Sequence, residues 1–403
     1  MTKNIFPKGF FFGAATSSHQ VEGGCFNDWS EWEKKNAYRL SHIANRYYNT
    51  NNYISGRACD HYHKFKEDFK LAKKLGANAH RFSIEWSRIE PKEGEFNYNE
   101  IKHYQEVIDE LRKLKIEPFI TLWHFTLPVW LADKKGWENK KAGEYFLRYV
   151  EKIVSELKNV RFFITLNEPE VYASQSYFYS SWPPQKKSFF SYLKVLNNLI
   201  KAHKLAYQVI KNINPKLQVG LVTNNTYFEV AGINPFHYLL KKAADWWNNE
   251  YFLNKTAKNL DFIGLNYYFH NRIDWRFNNN SSDKRYATSD MRFSDMGWEL
   301  YPEGIYRVLC DLKKYQKPII ITENGLADKN DQYRAWFIGE TLKNIQQAIS
   351  EGVDVRGYLH WSLLDNFEWD KGFWPRFGLI EIDYKTLKRT PRQSAYFFRD
   401  MIN

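Results

Sequence analysis

The sequence predicts a closed parallel (β/α)8 barrel, and three observations predict it. Eight short apolar runs recur along the 403 residues, each bounded by turn residues. Successive runs are separated by stretches long enough to hold a helix, and several of those stretches space their apolar residues at three and four. The run ends, finally, are rich in polar and aromatic residues, as expected where barrel strands meet their active face. Strand and helix alternating eight times close most simply into one barrel. The length alone fits two or three ordinary domains equally well. No Pro, Gly or Ser-rich linker interrupts the alternation, however, so a single domain over 1–403 is expected.

Taken in order, "FFFGAAT" (10–16) is the first strand, with Gln20 just after it, and "NAHRFSI" (78–84) is the second, carrying Arg81. "YQEVIDELRKLKI" (104–116) has helical periodicity and leads into the third strand, "EPFITLW" (117–123), which delivers His124. "YFLRYVEKIVSELKN" (145–159) is a second amphipathic stretch and precedes the fourth strand, "RFFITLN" (161–167), which ends in Asn167 and Glu168 and is halted by Pro169. "QVGLVT" (218–223) is the fifth strand. "DFIGLN" (261–266) is the sixth, closing on Asn266 and Tyr268. "PIIITE" (318–323) is the seventh, closing on Glu323 and Asn324. "RGYLHWS" (356–362) is the eighth, carrying Trp361, with Glu368 and Trp369 in the loop beyond.

Composition excludes several classes. The formal net charge is +12 with a pI near 9.2, yet Lys and Arg are spread along the chain and mixed with Asp and Glu. No basic block or basic-aromatic repeat supports nucleic-acid binding. Cys25, Cys59 and Cys310 are an odd number at wide spacing, which suits a reducing compartment better than a disulfide framework. The N-terminal apolar run is cut by Pro7, Gly9 and Gly13 and makes a poor secretion signal, and no stretch reaches the roughly 18 apolar residues of a membrane span. A soluble, cytoplasmic protein with no membrane contact is expected.

A carboxylate at the mouth of an apolar strand is costly unless something uses it. Glu168 and Glu323 end strands four and seven and so face each other across the mouth. Such a pair suits glycoside cleavage, in which one acid protonates the leaving oxygen and the other attacks the anomeric carbon or activates water. Other features have plainer readings. Arg81 could pair with Glu85 or Asp68. His61 and His63 alternate like metal ligands but lack a further ligand cluster, and a packed or hydrogen-bonded role fits them better. Trp29, Trp32, Trp246, Trp247 and Trp336 read as core or helix-packing residues. "SWPPQ" (181–185) reads as a loop on the leaving-group side, and "NNNSSD" (278–283) as a mobile loop.

"FFGAATSSHQVEG", "RFSIEWSRIEP", "TLWHFTLPVWL", "TLNEP", "DFIGLNYY", "DMGWELYPEG", "ITENG", "WSLLDNFEW" and "RFGLIEIDY" occur in this order over nearly the whole chain. In this the sequence resembles glycoside hydrolase family 1, the retaining β-glucosidases and their relatives. The resemblance implies that Glu168 is the general acid/base and Glu323 the nucleophile, with Arg81 and Tyr268 holding Glu323 and Asn167 holding the sugar 2-hydroxyl. It likewise implies a sugar-binding set of Gln20, His124, Asn266, Glu368, Trp369 and Phe377, with Trp361 as an apolar floor. The implied partner is a small β-glycoside or short oligosaccharide, with no metal or organic cofactor; a homo-oligomer is left open. The negative charge of Glu323 should raise the pKa of Glu168 and keep it protonated until Glu323 is glycosylated.

The chain departs from the family pattern in places. Phe125 stands where many members carry Trp. Glu368 is kept where a Ser-Lys pair would mark 6-phosphoglycosides, and Glu168 is not the Gln of thioglucosidases. The interval from Glu168 to Glu323 is short, 323 − 168 = 155 residues, with the loss placed between strands five and six. A transglycosylase and, less consistent with the intact carboxylate pair, a non-catalytic sugar-binding protein are the rival readings.

Overall fold

The structure is a computed structural model and describes residues 6–43, 49–275 and 291–402. Eight strands close into a barrel: β1 Phe11–Ala15, β2 Ala79–Ser83, β3 Glu117–Thr121, β4 Phe162–Asn167, β5 Gln218–Asn224, β6 Phe262–Asn266, β7 Ile319–Glu323 and β8 Val355–Trp361. Each pairs in parallel with its neighbour in the chain, and β8 returns to β1. Every expected run coincides with one of these strands to within two residues at either end. Strands buried on both faces are mostly apolar, which is why they stand out in the sequence.

The barrel interior is filled by Ala79, Phe119, Phe162, Ile164, Val222, Phe262, Ile320 and Leu359, with Phe119 and Phe162 stacked at 4.3 Å. A second, larger apolar layer lies between strands and helices. In the helix Tyr98–Lys113, the buried residues Ile101, Tyr104, Ile108 and Leu111 keep the three-and-four spacing that faces a sheet. This helix begins earlier than the apolar pattern suggests because the Asn97 side chain accepts from the Asn99 N–H and caps it. It stops before 116 because Lys115 turns to positive φ. Ala142–Glu156 likewise buries Phe146, Tyr149, Val150 and Ile153.

Two small additions lie outside the barrel. Tyr227–Val230 and His270–Ile273 form a parallel pair that continues from the ends of β5 and β6. Ile380–Ile382 and Arg389–Pro391 form an antiparallel ribbon. The stretch between β5 and β6 that looks trimmed in sequence holds the first of these strands and the helices Pro235–Asp245 and Tyr251–Thr256. The three cysteines are free. His61 and His63 bond to Asp68 and Asp60, both at 2.7 Å, and no group among the described residues could hold a metal ion. No described helix is long and apolar enough to cross a membrane. The 278–283 loop lies outside the described residues.

Candidate active site

Both strand-end carboxylates sit at irregularities in the barrel. Between β4 and β5 the register passes from Ile164↔Gly220 to Asn167↔Val222, three residues against two. Between β6 and β7 it passes from Leu265↔Ile321 to Asn266↔Glu323, one residue against two. Each extra residue re-aims the side chains that follow it, a common device beside active sites. Glu168 then adopts φ 40, a left-handed conformation unusual for a residue with a side chain, and Pro169 opens the short helix Pro169–Ala173. Behind Glu323, Gly325 lies against β8, where a Cβ atom would sit 1.9 Å from the Trp361 carbonyl oxygen. Only glycine lets the "ITENG" turn pack there.

Glu323 is held from two sides. Arg81 donates from Nη1 to Glu323 Oε1 at 2.5 Å and Tyr268 donates its hydroxyl to Oε2 at 2.9 Å. The rest of the Arg81 fork is also engaged, with Nη2 on Asn167 Oδ1 at 2.6 Å and Nε on Thr121 Oγ1 at 2.9 Å. Arg81 therefore serves Glu323 and not Glu85 or Asp68; Asp68 is taken by His61 and Arg389. Burial raises the pKa of Glu323, while Arg81, Tyr268 and Asn266 act to lower it.

Glu168 has a different shell. Its Oε1 accepts from two amides, Asn266 Nδ2 at 2.6 Å and Asn224 Nδ2 at 3.0 Å. With Oε1 committed as an acceptor, the proton of the neutral acid belongs on Oε2. The Glu168 pKa is pushed up to about 8, first by burial and second by the charge of Glu323, against the two amides and Arg81. The direction matches the expectation from sequence, but the order of causes does not. The pocket itself contributes more than the neighbouring charge, because both carboxyls are almost wholly out of water, 6% exposed at Glu168 and 5% at Glu323.

The two carboxyls open on a cleft of about 580 Å³. Of the residues expected at the site, Gln20, His124, Asn167, Glu168, Tyr268, Glu323, Trp361, Glu368, Trp369 and Phe377 line it. Arg81 and Asn266 do not. Arg81 lies behind the cleft surface, bonded to Glu323. Asn266 departs from the expectation that it touches substrate: it is fully buried, its oxygen accepts from Thr322 and its nitrogen donates to Glu168 and Asn167, which places it behind the carboxyls and not on the cleft surface. Glu368 accepts from Asn366 at 2.7 Å and from Gln20 at 3.2 Å, and burial pushes its pKa up to about 8. Burial and Arg81 lower the pKa of His124, which makes it a neutral ring. Phe125 packs against Trp369 and Trp182 at 5.2 and 5.1 Å, making the wall apolar where an indole donor was missing.

Sequence reasoning missed Asn224, whose only signal was a polar end to the fifth strand. The reading of Trp246 and Trp247 as packing residues holds in part. Trp247 packs against the core and also lines the cleft together with Asn248 and Phe228 from the apparently trimmed segment, whereas Trp246, packed on Trp247 and Tyr251, is 49% exposed. That segment builds one wall of the cleft. Trp182 of "SWPPQ" also lines it.

The model of glycosyl hydrolase family 1 matches residues 2–258 and 248–403. β-Glucosidase A of Thermotoga maritima is 33% identical over 449 aligned positions that cover 100% of this chain and 98% of its own. At least 449 − 403 = 46 of its positions therefore have no counterpart here, in keeping with a shortened chain. A 6-phospho-β-galactosidase of Staphylococcus epidermidis is 30% identical over 100% of this chain and 98% of its own. The solved β-glycosidase from Pyrococcus horikoshii superposes with a TM-score of 0.87 at 37% identity, covering 98% of this chain and 94% of its own. Motif order, barrel, paired strand-end carboxyls and these full-length matches converge: the chain is a glycoside hydrolase and belongs to glycosyl hydrolase family 1.

Proposed function

We propose that the whole chain acts as one catalytic domain, an exo-acting β-glycosidase that hydrolyses β-D-glucosides, β-D-galactosides and β-D-fucosides by double displacement. Glu323 attacks the anomeric carbon as the leaving oxygen takes the proton from Glu168; Glu168 then removes a proton from water, which attacks the glycosyl-enzyme bond from the other side. Asn167, whose oxygen is fixed by Arg81, offers its amide nitrogen to the 2-hydroxyl. Gln20, His124, Glu368 and Trp369 take the remaining hydroxyls over Trp361, with Phe377 beside them.

The observation that carries this reading is the division of hydrogen bonds between the carboxyls. Glu323 faces a guanidinium and a phenol, which favour the ionised nucleophile. Glu168 faces only amides beside a negative charge, which leaves it the proton. Asn266 donates to Glu168 and also helps to lower the pKa of Glu323, and the charge of Glu323 in turn raises that of Glu168, so the two carboxyls are close neighbours, as the retaining arrangement requires. Glu368 also offers hydroxyl acceptors and no counter-charge, which disfavours a 6-phosphoglycoside. Three unpaired cysteines suit a reducing, cytoplasmic setting.

The test is hydrolysis of nitrophenyl α- and β-glycosides of glucose, galactose, fucose and mannose, with a 6-phosphoglucoside alongside, while NMR follows the first anomer released. Turnover of β-glycosides alone, with the β-anomer formed first, is expected. Glu323→Ala and Glu168→Ala should each lower turnover of a β-disaccharide by at least about a thousand-fold. Near-normal turnover by either variant, or the α-anomer as first product, overturns the reading.

A further inference from the structure

Because the acid must protonate the departing oxygen, the leaving group lies beside Glu168, on the side of the cleft built by the loops after β4, β5 and β6. We propose that this wall is a saccharide subsite in which Glu170 and Asn271 bind hydroxyls of a second sugar, so that a sugar leaving group is favoured over an alkyl or aryl one. The inference rests on the β-glycosidase reading above and adds the chemistry of the leaving group to it.

Three polar side chains on this wall carry oxygens that are buried without a hydrogen-bond partner. They are Glu170 Oε2, Asn271 Oδ1 and Asn224 Oδ1, and all three residues line the cleft. Buried acceptors in folded proteins are nearly always satisfied, so a row of unsatisfied ones beside a catalytic acid marks a place where a ligand supplies donors. Glu170 is the telling member. It stands two residues beyond Glu168, and burial pushes its pKa up to about 8, opposed only by its own backbone N–H. With no neighbouring cation its carboxyl is neutral near pH 7 and carries one O–H donor beside its acceptors. That combination matches the hydroxyls of a pyranose. It offers nothing to an alkyl chain. Trp247, Tyr192 and Phe178 line the same region and supply flat apolar faces for the C–H side of the ring.

The experiment compares kcat/KM for a β-linked disaccharide and for a nitrophenyl β-glycoside of the same glycone in wild type, Glu170→Ala, Glu170→Gln and Asn271→Ala. Asn224 is left intact because it also bonds to Glu168. In both Ala variants the disaccharide-to-aryl ratio should fall about ten-fold, the loss of one hydrogen bond to a ligand, while aryl turnover stays within about two-fold. Glu170→Gln keeps a donor and an acceptor and should retain most of the ratio. Equal losses on both substrates, an unchanged ratio, or a wild-type enzyme that cleaves the aryl glycoside and no disaccharide overturns the inference while leaving the β-glycosidase reading standing. A wild-type enzyme that cleaves neither substrate overturns both.

Discussion

Glu168 and Glu323 are equally buried carboxyls, and their partners decide which holds the proton. Because burial is the larger cause at Glu168 and the charge of Glu323 the second, Glu323→Gln should lower the Glu168 pKa from about 8 but leave it above the ordinary carboxyl range. A 13C-labelled carboxyl followed by NMR would read this, and a fall to an ordinary value would show that charge outweighs burial. For the active enzyme the sign runs the other way at high pH. In the proposed mechanism, transfer of the glycosyl group requires protonated Glu168, so kcat/KM on a β-disaccharide should fall as pH rises through about 8. Asn224 donates to Oε1 and so favours the ionised form; Asn224→Ala should raise the pKa, moving the alkaline limb upward by about half to one pH unit. A limb that stays put or moves down would mean that water replaces the amide. These residues were unequally legible. Glu168, Asn167 and Glu323 end conspicuous strands, and their motifs announce them. Asn224 ends a strand too, but an Asn followed by a second Asn carries no signature, and only the fold shows which of them turns toward the acid. Asn266 failed in the opposite direction: its motif placed it correctly at the mouth, while its burial behind the carboxyls could not be read from neighbours in sequence.

At the scale of elements, the eight strands were legible because a parallel barrel buries both faces of every strand, and the resulting apolar runs contrast with amphipathic helices. The irregularities that aim the catalytic groups were not. A bulge is one extra residue on one strand relative to its partner, and partners lie tens of residues away in the chain. The short parallel pair Tyr227–Val230 and His270–Ile273 escaped for the same reason, as did the exposed Trp246 and cleft-facing Trp247 in a segment that looked like packing helix. The β7–β8 junction gives a direct test. A Cβ on Gly325 would sit 1.9 Å from the Trp361 carbonyl oxygen, and backbone cannot move aside as a side chain can. Gly325→Ala should therefore cost about 1–3 kcal/mol, seen as a drop of roughly 1–4 °C in melting temperature for a protein of this size. It should also reduce kcat, since Glu323 and Trp361 flank the clash. A variant with wild-type melting and turnover would show that the turn relaxes freely.

At the scale of the whole molecule, the cleft is unequal at its two ends. The inner end, where the proposed sugar-binding set lies, is made of side chains almost wholly out of water, Gln20 at 0%, Trp361 at 4% and His124 at 5% exposed, and β1, β3 and β8 carry them inward over the packed barrel core. The leaving-group end is rimmed by Phe178 at 42%, Phe189 at 51% and Tyr179 at 59%, all on the surface. On the proposed reading, a chain of sugars would extend outward past Glu168 and meet a wall beyond Gln20 and Glu368. With one unit held inside, cleavage should release one unit at a time from the non-reducing end. With a β-linked pentasaccharide, the early products expected are a monosaccharide and a tetrasaccharide in equal amounts, with di- and trisaccharides appearing only as the tetrasaccharide is consumed. Chromatography of the first few per cent of reaction distinguishes this from internal cleavage, which would yield disaccharide and trisaccharide together at the outset. Disaccharide released first in excess would require a second sugar to pass beyond Gln20 and Glu368, and the closed end of the cleft would have to open to let it do so.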